Sequence, residues 1–161
     1  MKILSTINHP LSTIPQFVWR IVEFAVGGLF VYAGVLKALD PVTFAIDIDN
    51  YKILPWPIGV RLAFYLPWLE IFSGVALITR KLYGGGLSIL AALTSIFIVA
   101  SIVAKARGLD ITCGCFGHAS KYLNFAGHLA LDIAILTVLL VLIFRTREDY
   151  AALPRQSALF R

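Results

Sequence analysis

Four long apolar runs, at 17–39, 58–79, 82–104 and 124–144, constrain this chain more than any other feature. Each is about 20 residues long, and at 1.5 Å per residue a helix of that length spans a hydrocarbon core roughly 30 Å thick. Composition agrees: 59% of the residues are hydrophobic and only 14% are charged, where a soluble domain carries roughly 25% charge. The runs predict an all-α integral membrane protein, a four-helix transmembrane bundle over 17–144. Short tails, 1–16 and 145–161, flank it, and no separate soluble domain fits. The first tail lacks the apolar centre of a signal peptide and is broken by Pro10 and Pro15. The first run is therefore expected to be a retained helix.

Between the first two runs, Asp40 and Pro41 stop the helix. The connection that follows is too apolar for a free loop, with Phe44, Ile46, Ile48, Ile53 and Leu54. A short interfacial helix is expected there, with Tyr51 and Trp56 as anchors. Small residues four apart, Gly34 with Ala38 and then Gly84, Ser88 and Ala92, predict close helix packing within the bundle. Pro67 removes one backbone hydrogen bond inside the second span and is expected to bend it.

Ionisable residues inside such spans are costly and normally face the bundle interior. Glu70 falls near mid-span, where a carboxyl without a cation would stay neutral. Asn124, His128 and Asp132 share one face of the last span at four-residue spacing. Glu70, His128 and Asp132 are the candidate contacts for a quinone or a proton path, and interhelical polar packing is the plainer alternative. Arg20 with Glu23, and Lys37 with Asp40, stand three apart at helix ends and are expected to form snorkelling ion pairs.

Four spans put both termini on one side. That side, with the 80–81 turn, carries Lys2, Arg20, Arg80, Lys81, Arg145, Arg147, Arg155 and Arg161. The other carries fewer basic residues: Lys37, Lys52, Arg61, Lys105, Arg107 and Lys121. The positive-inside rule then predicts cytoplasmic termini. The net charge of +5 suits anionic lipid. No basic stripe is interleaved with exposed aromatics, which argues against nucleic-acid binding.

The only two cysteines lie in Cys113-Gly114-Cys115-Phe116-Gly117, between the last two spans and on the outer, periplasmic face of this topology. Disulfides persist in that compartment. A Cys-Gly-Cys disulfide closes a very small ring that Gly114 permits, and strained, exposed disulfides are the readily reduced ones. Lys105, Arg107, His118 and Lys121 supply positive charge that favours thiolate. Thiol–disulfide exchange with a thioredoxin-like or other disulfide-containing periplasmic protein is the first reading, with Cys113 and Cys115 as the reacting pair. A membrane quinone is the candidate cofactor. Two alternatives stay open. In one, Cys113, Cys115 and His118 bind copper or zinc. In the other, the chain is an accessory subunit of a larger membrane complex and the cysteines only pin their loop.

Several stretches taken in order carry a resemblance. They are Gly28-Leu-Phe-Val-Tyr-Ala-Gly34, Lys37, Asp40-Pro41, Phe44-Ala45, Tyr51, Leu54-Pro55, Leu66-Pro67, Leu69-Glu70, Gly74, Arg107-Gly108 and the Cys113–Gly117 motif. Together they resemble the MauE/DoxX group of four-helix membrane proteins, and the cysteine motif points to the MauE branch. The resemblance implies a redox-associated bacterial inner-membrane protein linked to methylamine utilisation, where MauE-like proteins support maturation of a periplasmic, disulfide-rich dehydrogenase subunit. The DoxX side implies a quinone link. The group is also similar in architecture to vitamin K epoxide reductase, but this chain lacks that enzyme's Cys-x-x-Cys pair and second dithiol. The difference favours a partner-dependent or accessory role over autonomous oxidase activity.

Overall fold

A computed structural model describes residues 15–108 and 125–157, with 148–157 described by backbone alone. The described residues form α1 (Gln16–Leu39), α2 (Pro41–Asn50), α3 (Trp56–Thr79), α4 (Tyr83–Ala106) and α5 (Phe125–Ser157), with no strand among them. Four helices are long and apolar enough to cross a membrane: α1, α3, α4 and the Phe125–Arg147 part of α5. The expected spans agree to within a turn, except that α5 continues past residue 144 to Ser157. Mixed charge ends a membrane span without ending a helix, because Arg, Glu, Ala and Leu are all good helix formers.

Local chemistry sets the corners. Asp40 leaves α1 and caps α2, its carboxylate accepting from Thr43 N at 3.1 Å and Thr43 Oγ1 at 2.6 Å. Pro41 follows at the first helical position, where its missing N–H costs nothing. Arg80 and Leu82 adopt left-handed φ values of 58° and 55° in the tight turn from α3 to α4.

The main packing is α1 on α3, with the two chains antiparallel and their backbones close. A Cβ on Gly27 would meet the Gly74 carbonyl oxygen at 2.9 Å, and one on Gly34 would meet the Pro67 oxygen at 2.8 Å. Gly86 of α4 approaches the Ser73 oxygen of α3 in the same way, at 3.1 Å. The stripe predicted to pack, Gly84, Ser88 and Ala92, is instead exposed. Spacing puts those residues on one face but does not say which neighbour that face meets. Toward one end, Trp19, Leu77, Leu87, Leu90, Leu139 and Leu142 form the larger apolar core.

The other end is built around α2. Phe44 and Ala45 are buried against Ala63 of α3. The predicted short helix is therefore present and packed on α3. Tyr51 is buried and so is no surface anchor, whereas Trp56 is about half exposed. The end of α4 is tied to this corner: an Arg107 guanidinium N–H donates to the Lys52 carbonyl oxygen at 3.0 Å. Lys105 Nζ stands 5.6 Å above the Phe125 ring of α5. Gly108 and Phe125, the described residues on either side of 109–124, thus lie at the α2 end.

Candidate functional site

The centre of the bundle beneath α2 holds a charged pair. Lys37 Nζ of α1 donates to both carboxylate oxygens of Glu70 on α3, at 2.6 and 2.8 Å. The side chains are 5% and 2% exposed, too little for bulk water to hydrate either charge. Three features bring them together. Gly34, one turn before Lys37, lets α1 lie against α3. Pro67, one turn before Glu70, presents its carbonyl to that glycine. Phe44 of α2 and Phe97 of α4 then place their ring faces 5.2 and 5.1 Å from Lys37 Nζ, giving the cation a second set of electrostatic partners.

A cavity of about 30 Å³ adjoins the pair where the four spans meet. Its polar wall is Lys37, Glu70, Thr94 and Asp132, and Ala33 and Phe97 are among its apolar lining. Asp132 and His128, one turn apart on α5, are both buried. His128 stands between Asp132 and the start of α5, on the side from which 109–124 joins the helix. The structure therefore brings Glu70 and Asp132 to one cavity and sets His128 one turn nearer the α2 end. Among the described residues no three His, Cys, Asp or Glu converge as a metal-binding group. Cys113, Cys115, His118, Lys121 and Asn124 lie outside the described residues.

One predicted pairing changes and the other holds. Lys37 does not snorkel to Asp40: it turns inward to Glu70, while Asp40 caps α2. Arg20 does meet Glu23, at 3.1 Å, but as part of a larger knot. The buried Glu23 carboxylate also accepts from Arg80 Nε and a second Arg80 nitrogen at 3.0 and 2.7 Å, and from the Tyr83 hydroxyl at 2.9 Å. That knot ties α1 to the α3–α4 turn at the end opposite α2. The residue missed by sequence reasoning is Lys37 as an interior group. Its signal was a lysine and a glutamate both inside apolar spans, each needing a partner that lipid cannot supply.

The family whose description reads methylamine utilisation protein MauE matches residues 15–145 of this chain. A curated relative, the methylamine utilization protein MauE of Methylophilus methylotrophus, is 31% identical over 112 residues. That match covers 69% of this chain and 56% of the relative, so the chain spans about half the length of the curated relative it matches. No solved structure matches the chain.

Proposed function

The chain belongs to the MauE family, and from that premise we propose that it is a membrane-embedded thiol–disulfide exchange protein acting through Cys113 and Cys115. One observation supports this most: the ends flanking the Cys-Gly-Cys segment, Gly108 and Phe125, lie at the α2 end of the bundle, the end to which the buried Lys37 and His128 are also nearer. In the exchange, a thiolate of the pair attacks a disulfide of a periplasmic, thioredoxin-like partner and forms a mixed disulfide. The second cysteine attacks the bridged sulfur and releases the partner as a dithiol. Two electrons and two protons pass from the chain's dithiol to the partner, and the reverse run oxidises the partner instead. Lys105 and Arg107 at the end of α4 favour the thiolate.

Glu70, His128 and Asp132, with Lys37, serve in this reading as the polar interior on which a thiol proton can be held. The cavity of about 30 Å³ beside Lys37, Glu70 and Asp132 has room for a water, which supports the proton path. The setting we propose is a bacterial inner membrane with both termini cytoplasmic and the dithiol periplasmic, in support of methylamine utilisation. An accessory role, with the cysteines only pinning a loop, is the competing reading. It is favoured by the lack of a second dithiol in the sequence.

Differential alkylation tests the proposal. A membrane-impermeant maleimide is applied to intact cells with and without mild reductant, and intact mass is read. Labelling that requires mild reductant marks an exposed, labile disulfide, the expected result. A pair that resists mild reductant but reacts after denaturation is a structural disulfide, and the accessory reading then takes over. In a Cys113→Ser/Cys115→Ser variant, loss of partner oxidation or reduction, rather than of bound copper or zinc, separates exchange from metal binding.

A further inference from the structure

The cavity beside the Lys37–Glu70 pair is small, about 30 Å³, but it is not a packing flaw of the ordinary apolar kind. A water needs roughly 10–15 Å³ of probe space and two to four polar partners, and cavities without such partners stay dry. Here four helices bring polar side chains to the rim. Lys37 carries three N–H donors, and two of them account for its bonds to Glu70. A carboxylate has about four lone-pair sites, so Glu70 retains acceptor capacity after both lysine bonds. Asp132 lines the same space from α5. Thr94 of α4 donates its hydroxyl to the Leu90 carbonyl at 2.8 Å, which leaves the oxygen able to accept.

We propose that this cavity is a binding site for one water molecule that bridges Glu70 of α3 and Asp132 of α5. It joins Asp132 to the Lys37–Glu70 pair as one hydrogen-bonded run, with His128 one turn away on α5. A water in that place donates to the two carboxylates and accepts from the third Lys37 N–H, so both of its hydrogens and one of its lone pairs find partners on the wall. The run begins at Asp132, about two turns below Phe125, and ends against α1 in the middle of the bundle. The water site stands on this geometry alone. Its use, to hold the proton that a thiol gives up on becoming the attacking thiolate, rests on the exchange reading above.

The deciding experiment is a map of the full chain in lipid nanodiscs, detailed enough to show ordered water. The expected result is a peak within hydrogen-bond reach of both Glu70 and Asp132, and an empty cavity overturns the proposal. Melting of a filled variant gives a second readout. Ala33 lines the cavity and is 4% exposed, so Ala33→Val occupies the space with carbon. Displacing a bridging water should lower Tm by about 2–4 °C, the shift that roughly 1 kcal/mol gives in a chain of this size. Filling a dry cavity commonly stabilises, so a raised Tm counts against the site. If Ala33→Val fails to fold, the map alone decides. A chain that holds the water but exchanges no thiols overturns the exchange reading and leaves this site standing.

Discussion

At the residue scale, Lys37 and Glu70 govern the interior. Neither charge could remain in an apolar bundle alone, and the pair at 2.6 Å satisfies both. A buried ion pair contributes little net stability, but removing one partner strands the other charge. Lys37→Met is therefore expected to destabilise the chain by about 3–5 kcal/mol, and Glu70→Met similarly. The double variant should recover most of that loss, because two apolar side chains of similar volume then fill the space. Thermal unfolding of the reconstituted chain checks this. A double variant that loses the sum of the two single losses would mean the two charges do not depend on each other. Sequence alone marked Glu70 as interior because a carboxyl in a span has few other options. It paired Lys37 with Asp40 because spacing rules see only neighbours three or four apart, and the true partner is 33 residues away.

Glycines decide how close the elements come. The sequence disclosed the four spans and the short α2, because length and apolar runs are local properties. It did not disclose which helix faces meet, since Gly84, Ser88 and Ala92 make as good a small-residue stripe as Gly27 and Gly34. The meeting faces are α1 at Gly27 and Gly34 and α3 at Gly74, where added Cβ atoms would lie 2.7–2.9 Å from backbone oxygens. Gly34→Ala and Gly74→Ala are each expected to cost about 1–3 kcal/mol, as overpacking does. Gly34→Ala should also lengthen the Lys37–Glu70 contact one turn away. Gly28 provides the control, since a Cβ there meets nothing within 4 Å. Gly28→Ala should be neutral or stabilising by up to roughly 0.5–1 kcal/mol, from the helix preference for alanine. Equal losses at all three positions would show that the close contact does not set the effect.

For the whole molecule, the two ends of the bundle differ in kind. One end is closed by the Glu23 knot with Arg20, Arg80 and Tyr83, and by Arg145 over the Trp19 ring at 4.6 Å. The other carries α2 and the ends that flank 109–124. Lys37 had been counted among the basic residues of that second side, but it is interior and drops out of the tally. The remaining imbalance favours the knot end as cytoplasmic more strongly than the sequence alone did. A single cysteine at Lys81, an exposed position in the α3–α4 turn, tests this in a Cys113→Ser/Cys115→Ser background. An impermeant maleimide should leave Lys81→Cys unlabelled in intact cells and label it once the membrane is opened. The native pair should react from outside under mild reductant. The opposite pattern would invert the bundle, placing the dithiol in the cytoplasm. Labelling of both sites from the same side would contradict a span between them. α4 is the helix that joins the two sites, and it is also the most apolar of the four, with a mean hydropathy of 2.5 over its membrane window. Opposite-side labelling is therefore the outcome that the least ambiguous helix in the chain requires.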